Sequence, residues 1–259
     1  DLHSFPTRRS SDLWQNDKGN CTPIATQKEW RQRRKEILQG MQKVMGALPE
    51  KTATKFSIHY TDTLTCERYT RYTIHFEVAP SEQLHAYLYR PRGNQRKYPA
   101  VLALHSTGAE GKRIIDDDTP LKDRGYAKEL AERGYVVISP DYPGFGALSG
   151  YDFEHDRYDS GTMKGIFNHI SCVSLLQSLP YVNKENIGVI GHSLGGHNAI
   201  FVAAFDPRIK VTVSSCGWTP MDYYNAGEAV SKHHGGRMGP WAQDRYMPLV
   251  SAKDRKSVV

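Results

Sequence analysis

A chain of 259 residues is long enough for one large α/β domain. Its 39% hydrophobic, 10% aromatic and 24% charged residues suit a packed core and exclude a disordered or fibrous chain. The net charge of +6 is dispersed, and apolar runs such as Ala100–Leu104 and Ile200–Phe205 fall far short of the roughly 18 residues a membrane span needs.

The two ends share one origin. Thr7–Leu13 within the opening DLHSFPTRRSSDL, and Asp254–Val259 (DRKSVV), can be encoded by opposite strands of a single sequencing-adapter oligonucleotide. Residues 1–13 and 254–259 are therefore set aside as adapter-like. The natural polypeptide is expected to extend further at both ends.

Between these ends, Thr26 followed by Glu29 is a capping-box signature. Trp30, Ile37, Leu38, Met41, Val44, Met45 and Leu48 then recur at helical spacing before Pro49, which predicts an amphipathic helix over Thr26–Leu48. Its basic cluster, Lys28, Arg31, Arg33, Arg34 and Lys35, is interrupted by Glu29 and Glu36. That pattern is a solvated helix face, so no nucleic-acid partner is expected. Tyr72, Ile74, Phe76 and Val78 alternate with Arg71, Thr73, His75 and Glu77, and alternation resumes over Gln83–Arg90. An antiparallel hairpin turning at Ala79–Glu82 follows.

Beyond Pro99 the strands change character. Ala100–Leu104, Tyr135–Ser139, Ile187–Ile190 and Ile209–Ser215 are continuous apolar runs separated by helical stretches at Leu121–Arg133, Thr162–Leu179 and Leu194–Phe205. Such an arrangement implies a parallel sheet covered on both faces, hence an α/β architecture. Cys21, Cys66, Cys172 and Cys216 lack C-x-x-C spacing, which excludes a zinc knuckle or disulfide-dense scaffold.

The chemistry resides in Ile187–Gly196, where an apolar strand runs through G-x-S-x-G into a helix. A serine nucleophile must stand on a sharp strand-to-helix turn, and residues two before and two after it must lack side chains to avoid their neighbours. Gly191 and Gly195 meet that demand around Ser193. Leu194 opens the helix, so its amide and the positive end of the helix dipole face a developing oxyanion. The second oxyanion amide is expected after the first parallel strand, in His105-Ser106-Thr107-Gly108, with Thr107 preferred and Ser106 next.

HSTG at His105, SPDYPGFG at Ser139–Gly146, GVIGHSLGGHNAIF at Gly188–Phe201, VSSCGW at Val213–Trp218 and WAQDRYMP at Trp241–Pro248 carry a resemblance. The chain from about Trp30 to Val250 resembles α/β-hydrolase-fold serine esterases of the dienelactone hydrolase and acetyl xylan esterase-like group, relatives of prolyl oligopeptidase-type domains. The resemblance implies an α/β-hydrolase fold with a mostly parallel sheet. Residues 14–98 would be its N-terminal helix and hairpin extension, and residues 99–253 an incomplete core whose C-terminal strands are missing. It further implies Ser193 as nucleophile, Leu194 and Thr107 as oxyanion hole, a small-molecule or carbohydrate ester as substrate, and no cofactor. His105, Tyr142 and Phe145 are candidate substrate contacts.

A triad in this fold runs serine, carboxylate, histidine. Too few residues follow Ser215 for two further strand–helix units of about 30 residues each. The acid and histidine are thus expected beyond the break that follows residue 253, and the chain alone is expected to hydrolyse esters near background. An apolar face is expected to lie uncovered where the missing strands belong. Of the histidines present, His192 and His197 read as packed inward, and His233 and His234 as a solvent-exposed pair. Asp222 and Asp244 read as surface acids and Asp141 as a loop organiser. His155 and His169 show no ligand spacing, so no metal site is expected. A prolyl oligopeptidase-type peptidase and a non-catalytic binding module are the competing functions.

Overall fold

The computed structural model describes residues 13–15, 21–50, 56–120 and 122–218. Nine strands and four α-helices lie in this part of the chain. Strands β1 (Leu13–Gln15) and β2 (Cys21–Pro23) pair as a small antiparallel ribbon. The other seven are β3 (Ile58–Thr65), β4 (Tyr69–Ala79), β5 (Glu82–Pro91), β6 (Tyr98–Leu104), β7 (Val136–Pro140), β8 (Val182–His192) and β9 (Ile209–Ser215). They form one sheet in the order β3-β4-β5-β7-β6-β8-β9. Pairing is antiparallel from β3 to β7 and parallel from β7 through β6 and β8 to β9.

The leading helix, α1 (Gln27–Met45), begins where its capping box dictates. Glu29 N donates to Thr26 Oγ1 at 3.2 Å while Thr26 N donates to Glu29 Oε2 at 2.9 Å, so two orphan amides of the first turn are satisfied reciprocally. The helix stops short of Leu48 because Gly46 takes φ 95°, against Asp159 where a Cβ would collide. Met41 and Met45 are buried on its inner face.

The hairpin turns at Pro80–Ser81, with Ser81 at φ 66°. Ile74, Phe76 and Val78 of β4, with Leu84, Ala86 and Leu88 of β5, face a core shared with α1 and α3 (Gly161–Ser178). β3 escaped the sequence pattern because it is an edge strand exposed along nearly all its length, so nothing imposes apolar alternation on it. The helix expected over Leu121–Arg133 is the shorter α2, Tyr126–Glu132. Before it, residues 111–116 form a 3₁₀ turn, and Asp117 and Asp123 take φ 55° and 61°, conformations no α-helix contains.

Helix α3 is buried almost all round, and α4 (Leu194–Phe205) spans its expected range. On the far edge, Val211 and Val213 of β9 are 61% and 46% exposed. With Val101, Leu130, Tyr135 and Val189 they line an open apolar depression on one face of the sheet. Cys66, Cys172 and Cys216 are free thiols. Among the described residues no helix is long and apolar enough to cross a membrane.

Thr26→Ala is expected to lower stability by about 1 kcal/mol, the usual loss for an N-cap. A urea unfolding midpoint that falls for Thr26→Ala and is restored in Thr26→Ser tests this.

Candidate active site

Strand β8 enters α4 through Gly191-His192-Ser193-Leu194-Gly195, and the turn is severe. Ser193 has φ 54° and ψ −116°, a backbone that side-chain-bearing residues seldom adopt. Three glycines make room for it. A Cβ on Gly191 would run into the Gly195 carbonyl, and one on Gly195 into the Leu104 carbonyl. One on Gly196 would lie 2.7 Å from Ser215 O. Ser193 N donates to Ser215 O at 2.8 Å, and Ser193 O accepts from His197 N at 2.9 Å, so the backbone of the turn is fastened on both sides. The serine is half-exposed. The Leu194 amide begins α4 and has no intrahelical acceptor.

The segment after β6 reaches the same end of the sheet. His105 is 2% exposed; its Nδ1 donates to Ser106 O at 2.8 Å, and its Nε2 accepts from Tyr142 N at 3.0 Å. Those partners fix the neutral tautomer, and burial pushes the imidazole pKa down. Both nitrogens are thereby spent on backbone. His105 pins the segment after β6 to the segment after β7. Thr107, next along, is exposed. Ser106 lines a cleft of about 270 Å³ together with Gly191, His192, Tyr126 and Ser215.

Asp141, with no exposure, accepts from Lys112 N at 2.9 Å, from Ala147 N at 3.0 Å and from Lys112 Nζ. This buried ion pair draws the segment around Gly111 and the segment around Gly146 against each other, the loop-organising role expected of Asp141. A charge so deep is tolerable only when paired and fully hydrogen-bonded. Lys112 was not singled out from the sequence: it stands 29 positions from its partner, and only the sheet brings them together.

The remainder of the site is aromatic. Tyr142, Phe145 and Leu194 pack into one buried cluster, with Phe153 partly buried against them. Phe153 also stands edge-on to Tyr151 at 4.9 Å. Tyr142, in the segment after β7, packs against α3, where its hydroxyl donates to Gly161 O at 3.3 Å and its ring occupies the space a Cβ on Gly165 would take. Lys164 and Tyr158, both bonded to Glu82, anchor the end of this segment to the β4–β5 turn.

Among the described residues, no histidine or carboxylate hydrogen-bonds to the Ser193 hydroxyl. His192 does not pack inward as expected; it is half-exposed, with Nδ1 3.0 Å from Ser215 Oγ on the neighbouring strand. His197 is buried against Phe201, and burial lowers it to about 3. His169 is likewise lowered to about 3, by burial and by nearby His105. His155 pairs with Asp152 at the surface. Asp222, His233, His234 and Asp244 lie outside the described residues. Among the described residues no group of three or more His, Cys, Asp or Glu could hold a metal ion.

The family model described as X-Pro dipeptidyl-peptidase (S15 family) matches residues 81–255, about two-thirds of the chain. The chain belongs to the S15 family. As an S15 member it is similar to a Bacillus subtilis protein named as a hydrolase, YtaP, at 32% identity over 155 residues. That match covers 56% of this chain and 52% of YtaP, so the chain spans about half the length of that relative. An acetyl esterase, Axe7A, from Xylanibacter ruminicola is 25% identical over 185 residues, covering 64% of this chain and 39% of Axe7A. Among solved structures, a glucuronoyl esterase from Solibacter usitatus superposes with a TM-score of 0.62 at 17% identity. That superposition covers this chain fully and 79% of the esterase. These likenesses establish the α/β-hydrolase fold for this S15 chain, as its sequence resemblance to serine esterases of that fold implied.

Gly165→Ala is expected to push Tyr142 off α3 and to cost about 1–3 kcal/mol, as overpacking does. A urea midpoint, together with the near-ultraviolet dichroism of the aromatic cluster, measures both effects.

Proposed function

We propose that this S15 chain carries the nucleophile-bearing part of a serine hydrolase that cleaves carboxylic esters through an acyl-enzyme on Ser193. The backbone of Ser193 carries the proposal. A residue held at positive φ on a cramped turn, with a free helix-first amide beside it, is costly by about 1–3 kcal/mol and fits a nucleophile.

In the proposed reaction Ser193 Oγ attacks the ester carbonyl carbon. The amides of Leu194 and Thr107 receive the oxyanion of the tetrahedral intermediate. Collapse expels the alcohol, and water then cleaves the acyl-serine bond. A histidine base, oriented by a carboxylate, takes the serine proton and returns it to the leaving alcohol. Both belong outside the described residues. Tyr142 and Phe145, extended by Phe153, form the apolar wall beside Leu194 and thus flank the acyl or alcohol group. Residues 14–98 extend the hydrolase domain: β3, β4 and β5 continue the sheet that carries the site.

The ester assignment draws support from relatives and fold neighbours whose names include acetyl esterase and glucuronoyl esterase, which favours small-molecule and carbohydrate esters. A second reading, cleavage of peptide amides, is favoured by the description of the family itself.

p-Nitrophenyl acetate turnover by the full-length gene product is expected to fall about 10⁴-fold or more in Ser193→Ala, with the far-ultraviolet dichroism unchanged. An undiminished rate refutes the nucleophile. Turnover of an X-Pro-p-nitroanilide that exceeds that of the ester would replace the ester reading by the peptidase reading.

A further inference from the structure

The segment between β7 and α3 starts at the end of the sheet that carries Ser193, and its later part is fastened to a single carboxylate. Glu82, the first residue of β5, receives three donors. Arg157 Nε reaches Oε1 at 2.6 Å, while Tyr158 Oη, at 2.7 Å, and Lys164 Nζ share Oε2. The Lys164 side chain, on the first turn of α3, is only 4% exposed. An ammonium that deep is tolerable because this carboxylate faces it.

From this clamp a line of contacts leads to the nucleophile. Lys164 Nζ lies 5.5 Å from the centroid of the Tyr151 ring. The Tyr151 hydroxyl donates to Asp156 Oδ2 at 2.7 Å, and the other oxygen of Asp156 accepts from Tyr158 N at 2.9 Å. Held at its hydroxyl and over its ring, Tyr151 offers a fixed surface to Phe153, which meets it edge-on at 4.9 Å. Phe153 in turn packs on Tyr142, Phe145 and Leu194. Leu194 directly follows Ser193.

We propose that Phe153 limits the length of the acyl group accepted beside Ser193, and that Glu82 is the positioning residue that holds Phe153 there through Lys164 and Tyr151. The inference rests on Ser193 being the nucleophile of an ester hydrolase. Tyr142, Phe145 and Leu194 are buried, whereas Phe153 is half-exposed and covers them from outside. It is therefore the ring a lengthening acyl chain would have to displace. Taking it away uncovers apolar surface, and each further methylene buried there favours the longer ester by about fourfold. Glu82 touches neither substrate nor Ser193, so its effect on the choice of ester can arise only through the segment it clamps.

The test assays the full-length gene product on p-nitrophenyl acetate and p-nitrophenyl hexanoate and reads the ratio of the two kcat/KM values. Phe153→Ala is expected to shift that ratio about tenfold toward the hexanoate, the return from burying roughly two further methylenes. Glu82→Gln removes the charge that gathers the three donors. It is expected to shift the ratio the same way by about threefold, the lower end of coupling between contacting residues. Combined with Phe153→Ala it is expected to shift the ratio no further, because both changes act through one ring. Tyr151→Leu, which removes the supporting ring, carries the expectation of Glu82→Gln should that variant fail to fold. A ratio unchanged in Phe153→Ala overturns the acyl limit. A Glu82→Gln that lowers both esters equally, or that adds fully to Phe153→Ala, overturns the positioning role. Ester turnover that is absent in the natural sequence, or undiminished in Ser193→Ala, refutes the ester reading itself and this inference with it.

Discussion

The close approach of α4 to the strands beneath it governs the rest of the molecule. The helix starts within one residue of the end of β8, and its first turn presses on the carbonyls of Leu104 and Ser215 from the two flanking strands. Contact that tight leaves no room for side chains at 191, 195 and 196, and it holds Ser193 at positive φ. The strain is sustained because the surroundings over-determine it. Ser215 O takes the Ser193 amide, the first turn of α4 takes the Ser193 carbonyl, and Leu194 is sealed under Tyr142 and Phe145.

That constraint reaches outward through polar contacts between segments far apart in sequence. His105 and Asp141 both sit where parallel strands end, and each spends its hydrogen-bonding capacity on a neighbouring loop. The result is a rim made of two loops that position each other. Tyr89 and Arg71 extend it by holding Asp116 at the end of the 3₁₀ turn. The antiparallel extension is therefore tied into the rim as well as into the sheet.

Much of this was legible in the sequence, for reasons that differ by element. Strands β6 and β7 and helix α4 were readable because burial imposes continuous apolar runs, and the turn at Ser193 because two glycines at fixed spacing, Gly191 and Gly195, have a steric cause. α1 was readable because Thr26 and Glu29 act locally. β3 was invisible, since an exposed edge strand needs no apolar face. The start of α2 was misplaced because left-handed Asp117 and Asp123 leave no compositional mark. The bonding of Lys112 and His105 is not legible in the sequence because each depends on a partner about thirty or more positions away. Single residues show their type in a sequence, but not which lone pairs are already taken.

The exposed valines of β9 have a practical corollary. Val211 and Val213 present branched side chains at the surface, and among the described strands β9 pairs with β8 alone. A hydrophobic, half-paired ribbon is an adhesive surface on which foreign polypeptide can extend the sheet. A charged side chain in place of either valine would be accommodated at this surface without touching the turn at Ser193.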